Sequence, residues 1–270
     1  MGGWELLSLR TITMETVVIS IVAFLAAILT FFSGFGLGTI LTPVLMIFFP
    51  VDLAIALTGV VHFLNNIFKL FLVGKNADRQ VLIRFGIPAV LAAFAGAWLL
   101  LQISDLKPLF DYRVGNTNIE VFPVKFLIAI LLLVFALMEL IPFFNKIQFG
   151  KDKLPVGGAL SGFFGGLSGN QGALRTAFLI KAGLSKETFI GTAVVVSAFV
   201  DITRLSIYAT RFTRSGLQEN IPMVICATLA AITGAFIGNR LLKKVTLKFI
   251  QKLVGIMLII LSIALGSGLI

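Results

Sequence analysis

Ten apolar runs, separated by short and mostly charged connections, cover most of the 270-residue chain. They span 16–33, 36–49, 51–73, 82–103, 121–144, 155–169, 171–183, 187–209, 220–242 and 248–270. Several reach the roughly 20 residues that carry a helix across a bilayer. They are too continuous for the short alternating segments of a membrane barrel. The pattern predicts an all-α, polytopic protein of the cell membrane. The longest connection, 104–120, reads as a solvated loop, and no separate soluble domain is expected.

The first two runs pose a length problem. Residues 16–49 as one straight helix would extend about 51 Å, against a hydrocarbon core of about 30 Å. The segment must break, and FFSGFGLGTILTP (31–43) supplies Gly34, Gly36 and Gly38 where it can. A similar break recurs: SGFGLGTILTP (33–43) lies over SGNQGALRTAF (168–178) at an offset of 135. At that offset Asp52 falls on Glu187, Asn66 on Asp201 and Lys69-Leu70 on Arg204-Leu205. Further on, GAW (96–98) meets GAF (234–236) after a four-residue insertion, and Lys125-Phe126 meets Lys248-Phe249. The chain reads as a duplication, with repeats at 14–145 and 153–270.

Two topologies follow from the break. If its two arms cross the membrane once, each half has four crossings and the halves are parallel. If the arms form a V that returns to its starting side, each half has three further crossings and the halves are inverted. Basic residues decide between them, because Lys and Arg gather on the cytoplasmic side. The V arrangement divides them twelve against six, with Lys75, Arg79, Arg84, Lys151, Lys153 and Lys186 among the twelve. The single-crossing arrangement divides them nine against nine. The expected architecture is therefore two inverted-topology repeats. Each has a Gly-broken, V-shaped re-entrant helix pair plus three transmembrane helices, and both termini lie outside.

Composition agrees with this picture: 58% of residues are hydrophobic, 13% are charged and the mean hydropathy is +1.05. The net charge of +10 would suggest nucleic acid in a soluble protein. Here the basic residues cluster between apolar runs, so the charge reads as membrane orientation, and no nucleic-acid partner is expected. Cys226 is the only cysteine, which excludes an internal disulfide and argues against a thiolate metal site. The N-terminus lacks a cationic stretch ahead of a small-residue cleavage site, so no removable signal peptide is expected. No cofactor is implied.

The candidate chemistry lies within the apolar runs. In 51–73, Thr58, His62, Asn65, Asn66 and Lys69 share one helical face. The second half repeats the stripe with Ser197, Asp201 and Arg204. A charge near the bilayer centre costs ~2.5–3.5 kcal/mol even on the lenient insertion scale. Such residues line a path, pair with each other, or snorkel to the surface. Lys69 and Arg204 could snorkel, and Arg204 could instead neutralise Asp201 three residues away. His62, the only histidine, could relay protons or bond a neighbouring helix. Arg175 follows the second break, where it could clamp exposed carbonyls or grip an oxyanion with its planar fork. The glycines could serve close helix packing. Alternatively they could open the backbone so that a restarting helix points free N–H groups at an anion.

SGFGLGTILTPVLMIF in the first half, Asn-Asn-Ile-Phe-Lys at 65–69, and GFFGGLSGNQGALRTAFLI in the second half carry a resemblance. Together they resemble the sulfite exporter TauE/SafE family, over almost the whole chain. Members have duplicated halves and are associated with transport of sulfite, organosulfonates and related sulfur anions. The resemblance implies a central site built by the two Ser-Gly turns and the polar faces of 58–69 and 197–204. The halves differ there, because Asn170, Gln171 and Arg175 stand where the first half has Phe35, Gly36 and Ile40. Most polar contacts should therefore come from the second V.

The expected function is secondary transport of a small sulfur-containing oxyanion, sulfite or an organosulfonate, by alternating access at the repeat interface. The expected substrate-binding residues are Ser33, Gly34, Gly36, Asn65, Asn66, Ser168, Gly169, Asn170, Gln171, Arg175, Asp201 and Arg204. His62 and Lys69 are assigned to the pathway or to proton coupling. No nucleotide-binding loop is present to supply energy from ATP. An anion channel, or a proton-coupled permease for another small anion, is the alternative. An intramembrane enzyme would need converging titratable pairs or a metal cluster, and the sequence offers neither. A metal-ion permease fits poorly because the core is richer in cations than in acids.

Overall fold

Helices account for nearly all of the computed structural model. It describes residues 14–31, 37–115, 117–141, 149–179, 182–212, 218–241 and 247–269. In chain order the helices are α1 (Met14–Thr30), α2 (Gly38–Phe48), α3 (Val51–Val73), α4 (Arg79–Ser104) and α5 (Pro123–Leu140). After a connection come α6 (Leu154–Ser168), α7 (Gly172–Leu179), α8 (Lys186–Phe212), α9 (Ile221–Leu241) and α10 (Leu247–Gly266). Four spans among the described residues are long and apolar enough to cross a membrane: Val51–Asn76, Arg79–Ser104, Lys186–Ala209 and Ile221–Arg240. Apolar side chains such as Leu91, Trp98, Leu229 and Ile263 are more than half exposed on the outside of the bundle. That is the surface lipid would cover.

Local chemistry sets the boundaries. Asp52 and Glu187 lie in the first turns of α3 and α8, where carboxylates suit the positive end of the helix dipole. Asp78 caps α4 by accepting from the Val81 N–H at 2.8 Å. The helix then widens to a π-turn over Leu82–Gly86, ahead of Pro88, which has no N–H to give the turn before it. Gly169 ends α6 with φ +76°, a conformation that suits glycine.

The connection after α4 corrects one expectation. Residues 110–121 are not a plain solvated loop. Phe110–Val114 (β1) and Thr117–Val121 (β2) pair antiparallel, with Phe110 opposite Val121 and Val114 opposite Thr117. Alternating aromatic and β-branched residues around Gly115-Asn116 carry a hairpin signal that the charge of the segment masks. The Tyr112 hydroxyl donates to the Ser267 carbonyl, which ties the hairpin to the end of α10.

Helix directions follow from the contacts. α3 and α8 run antiparallel: Gly59 lies against Leu205, Asn66 reaches Asp201, and Gly191 lies against Val73. α5 and α10 are also antiparallel, with Ser262 donating to the Ala129 carbonyl at 2.8 Å and Gly255 against Leu140. By contrast α4 and α6 are parallel, as are α1 and α9. The α4–α6 contact is very close. A Cβ on Gly158, Gly162 or Gly166 would stand 2.1, 1.9 and 2.1 Å from the carbonyl oxygens of Phe85, Ala89 and Ala93. Only glycine fits there, in a small-xxx-small seam at four-residue spacing.

The chain doubles back after α6. Phe178, near the end of α7, fills the space beside Gly157 near the start of α6 and stacks on Phe149 at 4.1 Å. Ser161 donates to the Gln171 carbonyl at 3.1 Å, nearer the turn. The start of α2 lies against the second break. A Cβ on Gly38, at the start of α2, would lie 3.1 Å from the Gly169 carbonyl oxygen.

Candidate functional site

α3 and α8 cross at the middle of the bundle, and their polar stripes face each other there. Thr58, His62, Asn65, Asn66 and Lys69 on α3 are all buried, as are Ser197, Asp201 and Arg204 on α8. Lys69 and Arg204 therefore do not snorkel. The apolar remainder of each helix packs against neighbours or faces outward, which leaves the stripes to satisfy one another.

Asp201 is the hub. His62 Nδ1–H donates to Asp201 Oδ2 at 2.7 Å, and Asn66 Nδ2 donates to the same oxygen at 2.9 Å. Arg204 Nε donates to Oδ1 at 2.9 Å, with Nη2 2.8 Å from that oxygen. A carboxylate only accepts, so the proton on Nδ1 is assigned by this bond. Arg204 neutralises Asp201 through the three-residue spacing anticipated from sequence. His62 does bond a neighbouring helix. The Tyr208 hydroxyl donates to the Gly166 carbonyl, which joins α8 to the glycine seam.

Beside this hub lies a cavity of about 30 Å³, lined in part by Thr30, Phe31, His62, Asn66, Lys69, Arg175 and Ser197. That volume holds about two waters. Lys69 Nζ stands over the Phe31 ring, 5.3 Å from its centroid. Arg175 projects from the first turn of α7 and donates through Nη1 to the Ser197 hydroxyl. Two cations from different helices, a hydroxyl, an imidazole and a carboxamide thus surround one small space. It lies on the side of Asp201 that leads to the Gly74–Asp78 connection, because Phe189, Ile190 and Ala193 of α8 also line it.

The remaining sequence-predicted residues take other places. Ser168 donates to the Phe164 carbonyl at 2.9 Å and accepts from the Asn170 N–H at 3.3 Å, so it caps the break. Gly169 forms the turn beside Arg204 and Thr42. Asn65, Asn170 and Gln171 are buried but do not line the cavity. The Asn65 and Asn170 amides and Gln171 Oε1 have no hydrogen-bond partner among the described residues. Ser33, Gly34 and Gly36, with the first break itself, lie outside the described residues. Sequence reasoning placed Ser197 on the polar face of 197–204 without naming it among the substrate-binding residues, and the cavity adds it to them. Nothing in the sequence marks Thr30 or Phe31. No group of three or more His, Cys, Asp or Glu that could hold a metal occurs among the described residues.

A cluster of buried basic side chains thus surrounds a small cavity, inside a bundle with an apolar exterior. The family model described as Sulfite exporter TauE/SafE matches residues 19–265. The chain belongs to the TauE/SafE family. Its members are integral membrane transporters rather than enzymes, and this chain is a multi-pass membrane protein. The match takes in every helix that contributes to the hub and the cavity. Comparisons with curated proteins and with solved structures returned no match.

Proposed function

We propose that this TauE/SafE member is a secondary transporter of a small sulfur oxyanion, sulfite foremost, bound between α1, α3, α7 and α8. The carrying observation is the convergence of Lys69, Arg175, Ser197, His62 and Asn66 on one cavity beside the Asp201 hub. Arg175 and Lys69 supply charge, and Ser197 and Asn66 supply neutral polar contacts. Asp201 and Arg204 form the wall behind them and hold His62 and Asn66 in place. The small volume favours a compact anion over a long organosulfonate.

Alternating access between two inverted repeats is the mechanism that fits best. The repeats are 14–145 and 153–270. Inversion is supported by direction, since the offset mates α3 and α8 are antiparallel, as are α5 and α10. Exchanged packing supports it too, with α1 on α9 and α6 on α4. The fold-back of α7 along α6 supports a re-entrant pair. Across the hub from the cavity, Ile55, Thr58 and Arg204 are wholly buried. In this topology the cavity faces inward, the side on which Lys75, Arg79, Lys151 and Lys153 gather. A reporter enzyme fused after Ile270 is expected to be active outside the cell only. Cytoplasmic activity would refute the inverted arrangement.

Carrier and channel differ in kinetics. In proteoliposomes, labelled sulfite uptake is expected to saturate and to rise several-fold when unlabelled sulfite is loaded inside. Unsaturable flux without that stimulation would establish a channel instead. No sulfite flux at all would sink the substrate assignment.

A further inference from the structure

Lys69 is placed to reach water and does not. It stands about one helical turn before Val73, the last residue of α3. A lysine so near a helix end ordinarily uses its flexible stem to bring the ammonium to the surface. The direction is available, because the cavity lies on the side that leads to the Gly74–Asp78 connection. Yet Lys69 is only 6% exposed. Among the described residues, no hydrogen bond or ion pair reaches its Nζ. Asp201 attracts it through space, but Oδ1 is bonded to Arg204 and Oδ2 to His62 and Asn66. Arg175, on the same cavity, repels it.

The group that the ammonium faces is the Phe31 ring, with Nζ 5.3 Å from its centroid. Phe31 follows α1 directly, and its side chain lines the cavity together with Lys69. The ring is 5% exposed, so little water screens the contact. A cation over a ring face is drawn to the negative side of the quadrupole, and the attraction grows as the pair is desolvated. From this juxtaposition we infer that Phe31 is a positioning residue for transport. Its ring face holds the Lys69 ammonium at the cavity, where the anion meets it, and keeps it from swinging out toward Gly74–Asp78. This deepens the transport reading and rests on it. The action is electrostatic: an aliphatic side chain of similar bulk would fill the space without holding the charge.

The test keeps the shape of the ring and changes its charge distribution. Phe31 is replaced in the full-length protein by mono-, di- and trifluorophenylalanine, which draw electron density off the ring face in steps. In proteoliposomes, KM for sulfite is expected to rise with each step, to roughly ten-fold for the trifluoro ring, the size of a desolvated cation–π contact. The maximal rate should stay within about two-fold, because saturating sulfite recaptures the ammonium. The position of Lys69 is read separately, by reductive methylation of the purified protein and peptide mass spectrometry. Lys69 is expected to be labelled several-fold faster with the trifluoro ring, while Lys75, which is already exposed, is labelled at the parent rate. A KM that stays flat along the fluorine series would overturn the inference even if Phe31→Leu raised it, since shape alone would then matter. Unchanged labelling of Lys69 would overturn it as well. Absent sulfite flux in the unaltered protein would remove the transport reading instead, and the labelling would still decide whether the ring holds Lys69.

Discussion

Arg175→Ala is expected to lower sulfite flux about a hundred-fold or more while leaving folded protein in the membrane. Hydrogen bonds to charged groups contribute ~1.5–3 kcal/mol each, and a guanidinium can make two to one oxyanion, with each 1.4 kcal/mol equal to a factor of ten. Arg175 lies one turn into α7, and its guanidinium reaches the Ser197 hydroxyl across the cavity. Removing it deletes a charge where the ligand would sit, and Ser197 keeps a hydroxyl that can rotate to water. The fold should therefore survive, with a melting temperature within a few degrees of the parent. Arg175→Lys retains the charge without the planar fork, so it should recover part of the flux. Flux near the parent value in Arg175→Ala would remove Arg175 from the site. A collapse of stability that Arg175→Lys does not repair would make it a structural clamp on the break.

The second large effect concerns Asp201. Breaking a buried ion pair by deleting one partner costs ~3–5 kcal/mol, because the other charge stays buried and unmatched. Asp201→Ala should approach that loss, since Arg204, His62 and Asn66 all bond to this carboxylate. Arg204→Met alone should also destabilise, by stranding the acid. The double variant Asp201→Ala/Arg204→Met should be more stable than Asp201→Ala, since no stranded charge remains. Unfolding in mild detergent, followed as a double-mutant cycle, reads the coupling directly. Additive losses would show that the two side chains do not depend on each other. Sulfite flux is expected to fall in all three, because His62 and Asn66 lose the acceptor that orients them beside the cavity.

Much of this was legible in the sequence for a simple reason. Periodicity and length act locally, so the apolar runs predicted the helices, and α3 was read at 51–73, its observed bounds. The polar stripe of α3 was legible because four- and three-residue steps share a face whatever the helix packs against. The hairpin at 110–121 was missed because a polar connection hides a weak period-two signal. The glycine seam of α6 was also missed. Its four-residue spacing is visible at Gly158, Gly162 and Gly166, but only the partner carbonyls on α4 show what the spacing is for.

The sequence by itself determined a helical membrane protein of the TauE/SafE family, with a glycine break followed by Arg175 and with opposed charges at Asp201 and Arg204. These depend on spacing and composition, which need no partner. The tertiary structure decided how the charges are used. Lys69 and Arg204 are mates at the same offset, yet one lines a cavity and the other is locked to Asp201. Arg204 finds its counter-charge three residues away, but which further groups surround Asp201 and the cavity depends on helices more than a hundred residues apart in the chain. His62 and Asn66 reach Asp201 only because α3 and α8 cross at these positions. Arg204 pairs with Asp201 along α8 itself, while the crossing puts Lys69 of α3 on the cavity side with Arg175.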